Sequence, residues 1–476
     1  MKRALRHFAV GVLLAALFAS SGVAQVPSQL QDLVAVDGNP IALTNVRVID
    51  GTGAPARANQ TIVISDGIIR AVGATGSVQV PQGARTVDLA GHTVIPGLVG
   101  LHNHSYYTAA GGRSAQLSYS GPRLYLASGV TTIRTTGARA PYEELNMKRE
   151  IDAGRAVGPT IFVTGPYLTG EEGSQTMTQL SGAEDARRVV RYWAEEGVSW
   201  FKAYTWISRA ELGAAIEEAH RHGVKVTAHL CSVTYREAVA LGIDNLEHGL
   251  FANTDYVDDK QPDRCPPGFR DDYHSLDMGS PEVQATYRDM IENNVPMTST
   301  LVVYEISVPG RAPIDPRTWD LLAPEIAEAV RTESVRRRDA SPESNMGIHP
   351  AMYQKALEFE KAFVDAGGLL AAGVDPTGYG AALPGLGDQR NFELLLEAGF
   401  TPEQVVQIMS ANGAKVLGIY EEVGSIEPGK IADLAVIRGN PASDGNIRNV
   451  VMVFKHGVGW DSEKLYDSVR GVVGIQ

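Results

Sequence analysis

The chain has 476 residues, of which 44% are hydrophobic and 20% charged, so it has room for one large and one smaller domain and excludes extended disorder. Its formal net charge of −13 leaves no basic footprint, which argues against nucleic acid and anionic membrane surfaces as partners. Two cysteines, Cys231 and Cys265, are too few for a disulfide framework or a cysteine-based zinc site.

Residues 1–24 read as an export signal. Lys2, Arg3 and Arg6 form a positive start, residues 8–19 a short apolar run, and Gly22-Val23-Ala24 a small-x-small cleavage site. The run is too short to span a bilayer, and no later segment is long enough to do so. The expectation is a soluble periplasmic or secreted protein, with no membrane insertion after cleavage. Residues 26–97 then alternate as short β segments, with a hairpin signal at Asp66-Gly67. Residues 421–476 show the same character. Two β-rich ends around a different middle predict one composite β-sandwich domain drawn from both.

Between residues 98 and 420 strands alternate with helices. The first strand ends in His102 and His104, which alternation places on one face about 7 Å apart. Further strands are expected over residues 129–134, 159–164, 198–204, 224–229, 244–248, 296–301 and 369–375. Helices are expected near 142–153, over 183–196, from the Ser208/Glu211 capping box to His222, and over 234–241. This α/β pattern predicts a (β/α)8 TIM barrel whose chemistry sits at the carboxyl ends of its strands. Residues 251–280 and 304–350 are expected as long loops on that face.

Of the eleven histidines, His102, His104, His229 and His248 fall at predicted strand ends. His220 and His222 sit at a helix end and read as structural. His7, His92 and His456 lie in the signal, before the first strand and in the β domain. His274 and His349 lie in the long loops, within reach of a substrate. Lys202 comes late in its strand among Trp200, Phe201 and Tyr204, and Tyr204 shares its face; substrate contact and packing both stay open for that tyrosine. Asp375 ends the last strand, where an unpaired buried charge is costly and metal coordination resolves the cost.

This set resembles the amidohydrolase superfamily, in its binuclear-metal branch with a bridging lysine. Val94-Ile95-Pro96-Gly97-Leu98-Val99, Gly129-Val130-Thr131-Thr132 and Gly424-Ser425-Ile426-Glu427-Pro428-Gly429-Lys430-Ile431-Ala432-Asp433-Leu434 support the likeness. Phe201-Lys202-Ala203-Tyr204 and Thr227-Ala228-His229 are similar to its prolidase-like members, which include Xaa-Pro dipeptidases and N-acyl amino acid carboxypeptidases. The resemblance implies two divalent metal ions, for which zinc fits imidazole and carboxylate ligands best. It implies that His102, His104 and Asp375 hold one ion and that His229 and His248 hold the other. Lys202 would bridge them as N6-carboxylysine.

The implied activity is hydrolysis of C–N bonds in dipeptides or N-acyl amino acids by a metal-activated hydroxide, with Asp375 as proton shuttle. Lys202 and Tyr204 would join the catalytic machinery, and Tyr204, His274 and His349 would contact the substrate. The expected partner is a small molecule or dipeptide, and the expected assembly a homo-oligomer. Two other readings stay open. One is a cyclic-amide or lactone hydrolase of the same superfamily, although Lys202 counts against imidazolonepropionase-like chemistry. The other is a secreted metal-barrel binding protein without turnover. Cys231 and Cys265 lie in adjacent loops on one face, either bridged in an oxidising compartment or separate.

Overall fold

The computed structural model describes residues 26–311, 314–342 and 347–475. The export-signal stretch at residues 1–24 lies outside the described residues.

Strands from both ends of the chain meet in one nine-stranded sheet. Val34–Val36 lies beside Val458–Asp461, which continues through Val450–Lys455 to Leu434–Arg438. Leu434–Arg438 then runs antiparallel to His92–Pro96, with Leu434 opposite Pro96 and Ala435 opposite Ile95. On the other side of His92–Pro96 lie Ile41–Val48, Arg57–Ser65 and Ile68–Ala74. Asp66 (φ 54°) and Gly67 (φ 73°) make the hairpin turn, which needs two residues tolerant of positive φ. Alternating apolar residues such as Ile41, Leu43, Ile62, Val94, Val436 and Phe454 are buried together and form this region's own core. The sheet therefore anchors the strand that leads, one residue after Pro96, into Leu98–Asn103 and the first histidines.

The middle of the chain builds two parallel sheets. One orders Thr160–Phe162, Val130–Thr135 and Leu98–Asn103. The other runs Thr178–Gln179, Thr164–Thr169, Trp200–Ala203, Lys225–Ala228, Asn245–Glu247, Met297–Ser299 and Leu370–Ala372. Every residue of Leu98–Asn103 and Val130–Thr135 is buried, as expected for strands covered on both faces. The stretch expected as one third strand is divided at Val163, and its two halves pair in different sheets. Past the last strand the chain returns to the first. The Asp375 N–H donates to the His102 carbonyl at 2.7 Å, and the Val374 N–H donates to the Asn103 side chain at 3.2 Å. Gly373 permits this approach, because a Cβ there would lie 2.2 Å from the His102 nitrogen.

Helices Pro141–Asp152, Ala183–Glu195, Arg209–Arg221 and Tyr235–Ala240 follow their strands, the last two opened by reciprocal capping boxes at Ser208/Glu211 and Thr234/Glu237. One expectation is corrected. Residues 304–350 are not one loop, since they contain helices Arg317–Leu321 and Pro324–Arg338. Pro324–Arg338 buries a narrow stripe of Ile326, Ala327 and Val330 beneath a largely charged surface, too weak a periodic signal to stand out. Residues 251–280 take in the end of the short turn Gly249–Ala252 and the whole of Tyr273–Ser275, with Phe251 and Tyr273 buried. A disulfide between Cys231 and Cys265, with Cα atoms 4.9 Å apart, ties that connection to the stretch just past His229, which follows the strand Lys225–Ala228. Of the two readings open for the cysteines, the structure contains the bridge. Among the described residues no helix is long and apolar enough to cross a membrane.

Candidate metal centre

The four strand-end histidines form a continuous row. Ring centroids lie 5.4 Å apart from His104 to His102, 4.5 Å from His102 to His248 and 4.2 Å from His248 to His229. His102 Nε2 lies 3.4 Å from the Lys202 amine and 3.5 Å from the Asp375 carboxylate, which in turn lies 3.2 Å from His104 Nε2. One donor atom each from His102, His104 and Asp375 falls within 4.8 Å of the others, close enough to share a cation. Every residue expected as a metal ligand is thus brought to one place. Two of them, His248 (φ 73°) and Asp375 (φ 46°), leave their strands in the left-handed region, which His and Asp enter more readily than most residues.

The orientation of these rings is set from behind. Glu247, wholly buried, accepts a hydrogen bond from His102 Nδ1 at 2.8 Å, and its other oxygen accepts from the Arg134 guanidinium and the Thr227 hydroxyl. With its proton on Nδ1, His102 turns the lone pair of Nε2 toward Lys202 and Asp375. His248 Nδ1 pairs with the Thr300 hydroxyl at 2.7 Å. His248 Nε2 and His104 Nδ1 are buried without a protein partner among the described residues. Buried polar atoms in that condition are rare, and a bound cation satisfies an imidazole lone pair.

Burial pushes His102 down to about 4 and holds His104, His229 and His248 below the ordinary imidazole value, so all four are in the neutral form that binds metal. Burial likewise brings the Lys202 amine down to about 8, against the opposing pull of Glu247 and Asp375. Burial alone would raise the Asp375 carboxyl, but His102 and His104 outweigh it and keep the group below the usual carboxylate range. Neutral imidazoles, an ionised carboxylate and an amine that sheds its proton readily make a donor set suited to divalent cations.

His102, His104, Lys202, His229 and Asp375 line a cavity of about 750 Å³ together with Tyr106, Tyr167, Tyr204 and Tyr304. Tyr204 stands 4.8 Å from the His229 ring and 5.4 Å from Tyr167, and the Tyr106 and Tyr167 hydroxyls bond to each other. Burial pushes Tyr204 up to about 12, so its hydroxyl stays protonated. His274 and His349 are placed elsewhere. They line a second cavity of about 820 Å³ beside the disulfide, which shares Gly347 and Ile348 with the first. His274 is bonded to its own loop through the Asp271 carbonyl at 2.8 Å, and His349 caps the helix Pro350–Asp365 by accepting from the Ala351 N–H.

Sequence reasoning missed Glu247, Arg134, Tyr106 and Arg139. Tyr106 carried a signal, being two residues beyond His104. Glu247 carried one only in hindsight of its position, as an acid next to His248 inside an otherwise buried strand.

The amidohydrolase family model matches residues 93–259 and 358–459, segments that contain His102, His104, Lys202, His229, His248 and Asp375. A candidate prolidase from Bifidobacterium longum aligns at 25% identity over 90% of this chain and 99% of its own, with a TM-score of 0.64. A Xaa-Pro dipeptidase with methionine bound in its active site aligns at 20% identity over 89% of this chain and 100% of its own, with a TM-score of 0.65. A bottromycin amidohydrolase aligns at 20% identity over 92% of each chain, with a TM-score of 0.67. No curated protein sequence matches the chain.

Proposed function

We propose, for a chain that belongs to the amidohydrolase family and is a hydrolase of C–N bonds, that it cleaves the amide bond of dipeptides or N-acyl amino acids. The observation that carries this reading is the convergence of His102, His104, His229, Lys202 and Asp375 on one cavity, with the His248 ring packed against those of His102 and His229. Prolidase and dipeptidase structures among those similar to the chain support the substrate class.

In this reading His102, His104 and Asp375 hold one divalent ion, zinc for preference, and His229 and His248 hold a second. Bound ions of this kind polarise a carbonyl and bring the pKa of water toward neutrality. Lys202 reacts as the free amine with carbon dioxide, forming a carbamate N–C bond and releasing one proton. Its lowered pKa supports this, because only the uncharged amine is nucleophilic. Asp375, ionised and next to both histidines, takes the proton from the attacking water and passes it to the leaving nitrogen. Tyr204, protonated and against His229, donates a hydrogen bond to the substrate.

The two parallel sheets are read as one closed (β/α)8 barrel over residues 98–420, and the terminal strands as its β-sandwich domain over 26–97 and 421–476. The Val163 junction and the Asp375–His102 backbone bond support closure at the two seams. Export to an oxidising compartment is part of the proposal, and the Cys231–Cys265 bridge supports it. The test is a panel of Xaa-Pro dipeptides and N-acyl amino acids with zinc-loaded protein of measured metal content. Two ions per chain with no turnover on the whole panel would overturn the reading.

A further inference from the structure

We propose that Arg139 binds a carboxylate carried by the leaving amino acid and thereby makes the enzyme prefer free acids over their amides. The proposal rests on the amide-hydrolase reading and names the residue that would select its substrates.

Arg139 lies in the connection between Val130–Thr135 and Pro141–Asp152, at the carboxyl end of its strand. It lines the metal-site cavity and also an adjoining groove of about 430 Å³, so it stands where the two open into each other. Its guanidinium sits 4.7 Å from the centroid of the Tyr106 ring and donates to the Ser114 hydroxyl at 2.9 Å. Both supports come from one hairpin, Tyr106–Ala109 paired with Arg113–Gln116. The guanidinium is therefore stacked and braced in place.

It has no carboxylate partner among the described residues. Neighbouring arginines differ: Arg113 is paired with Glu325 at 3.9 Å and Arg337 with Glu333 at 2.6 Å. In a chain with 55 acidic and 42 basic residues, a braced arginine left without an acid at a cavity mouth points to an anion supplied from outside. Ser114 occupies one of the five guanidinium N–H donors, which leaves a fork free for a carboxylate.

The distances agree. The Tyr106 ring is 4.7 Å from the guanidinium and 4.6 Å from the imidazole of His104, which bounds how far apart the two can lie. In a dipeptide the terminal carboxylate carbon is three bonds from the scissile carbonyl carbon, about 3 to 3.7 Å away. A charge-assisted hydrogen bond adds about 2.8 Å. A substrate carbonyl beside His104 thus has its carboxylate within reach of the Arg139 guanidinium.

The carboxylate has two sources, the α-carboxylate of the leaving amino acid or an acidic side chain on it. The experiment compares kcat/KM for an N-acyl leucine, its carboxamide, and an N-acyl glutamic acid α-carboxamide, in the wild type, Arg139→Gln and Arg139→Lys. The expected result is a preference for the free leucine acid over its amide of tenfold or more, abolished in Arg139→Gln and partly kept in Arg139→Lys. If the glutamic acid α-carboxamide alone is favoured over the leucine amide, and Arg139→Gln removes that, the clamp holds for the side-chain source. An acid preference that survives Arg139→Gln, or an equal fall for acid and amide, overturns the proposal. Calorimetric binding of L-leucine and L-leucinamide to the metal-loaded protein gives an answer independent of turnover. If no amide is hydrolysed, the hydrolytic reading fails on its own, and equal binding of the two ligands overturns the clamp.

Discussion

His102 and Glu247, 145 positions apart in the chain, meet at 2.8 Å through Nδ1 and a carboxylate oxygen, and Arg134 closes the other side of the same carboxylate. One buried acid thus orients an imidazole of the candidate metal centre and neutralises a buried guanidinium. Removing it with Glu247→Ala leaves the Arg134 charge unpaired in the core. The expected cost is about 3–5 kcal/mol in chemical denaturation, as for other buried ion pairs broken on one side. The variant should also bind zinc more weakly by about ten- to a hundredfold, the usual penalty for losing a partner behind a metal ligand. Calorimetric zinc titration of wild type and variant checks the second figure.

Lys202→Ala should retain a folded protein, because the side chain it truncates lies at the cavity floor. It should bind fewer than two zinc ions per chain and lose hydrolysis. Added short carboxylic acids are expected to restore part of the rate by occupying the place of the carbamate. Full activity in the unsupplemented variant would remove Lys202 from the site.

Asp375→Asn keeps the shape of the side chain but not its basicity. Turnover should fall by about two orders of magnitude or more, the range seen when a positioned proton-transfer group is lost. A near-normal rate at full metal content would assign proton transfer to another residue.

The disulfide encloses a separation of 34 residues between the stretch just after His229 and the connection after Asn245–Glu247. Closing a loop of that size stabilises by roughly 3–4 kcal/mol in the chain-entropy treatment. Denaturation midpoints with and without reductant, or of the Cys231→Ser/Cys265→Ser double variant, measure this. Titration of the unfolded, unreduced chain should find no free thiol.

Burial pushes Asp388, beneath Asn103, up to about 7, with hydrogen bonds from Asn103 and Gly385 opposing it. Its proton is kept in the folded chain but released from the unfolded one above about pH 4. The unfolded state then binds fewer protons, so this contribution to stability falls as pH rises from about 4 through 7. The metal-free Asp388→Asn variant should therefore lose less unfolding free energy than the wild type between pH 5 and pH 8. A parallel decline in both proteins would mean that Asp388 is ionised throughout.

Local sequence carried the candidate ligand set and the strand–helix rhythm around it. His102 and His104 are readable because strand alternation is local, and Lys202, His229, His248 and Asp375 because each falls late in or at the end of a predicted strand. The two β-rich ends were readable for the same reason, and they do share a sheet. What stands behind and around those residues was left to long-range packing. Glu247 meets His102, Arg134 and Thr227 through contacts that span up to 145 positions. His274 and His349, plausible by position in the chain, settled in a neighbouring cavity with bonds to their own backbone. Cys231 finds Cys265, and Arg139 is braced by a hairpin that no periodicity announced. The division has one physical cause. Backbone periodicity acts between residues a few positions apart, whereas the partner of a buried charge is chosen by whichever distant strand packing brings within hydrogen-bond reach.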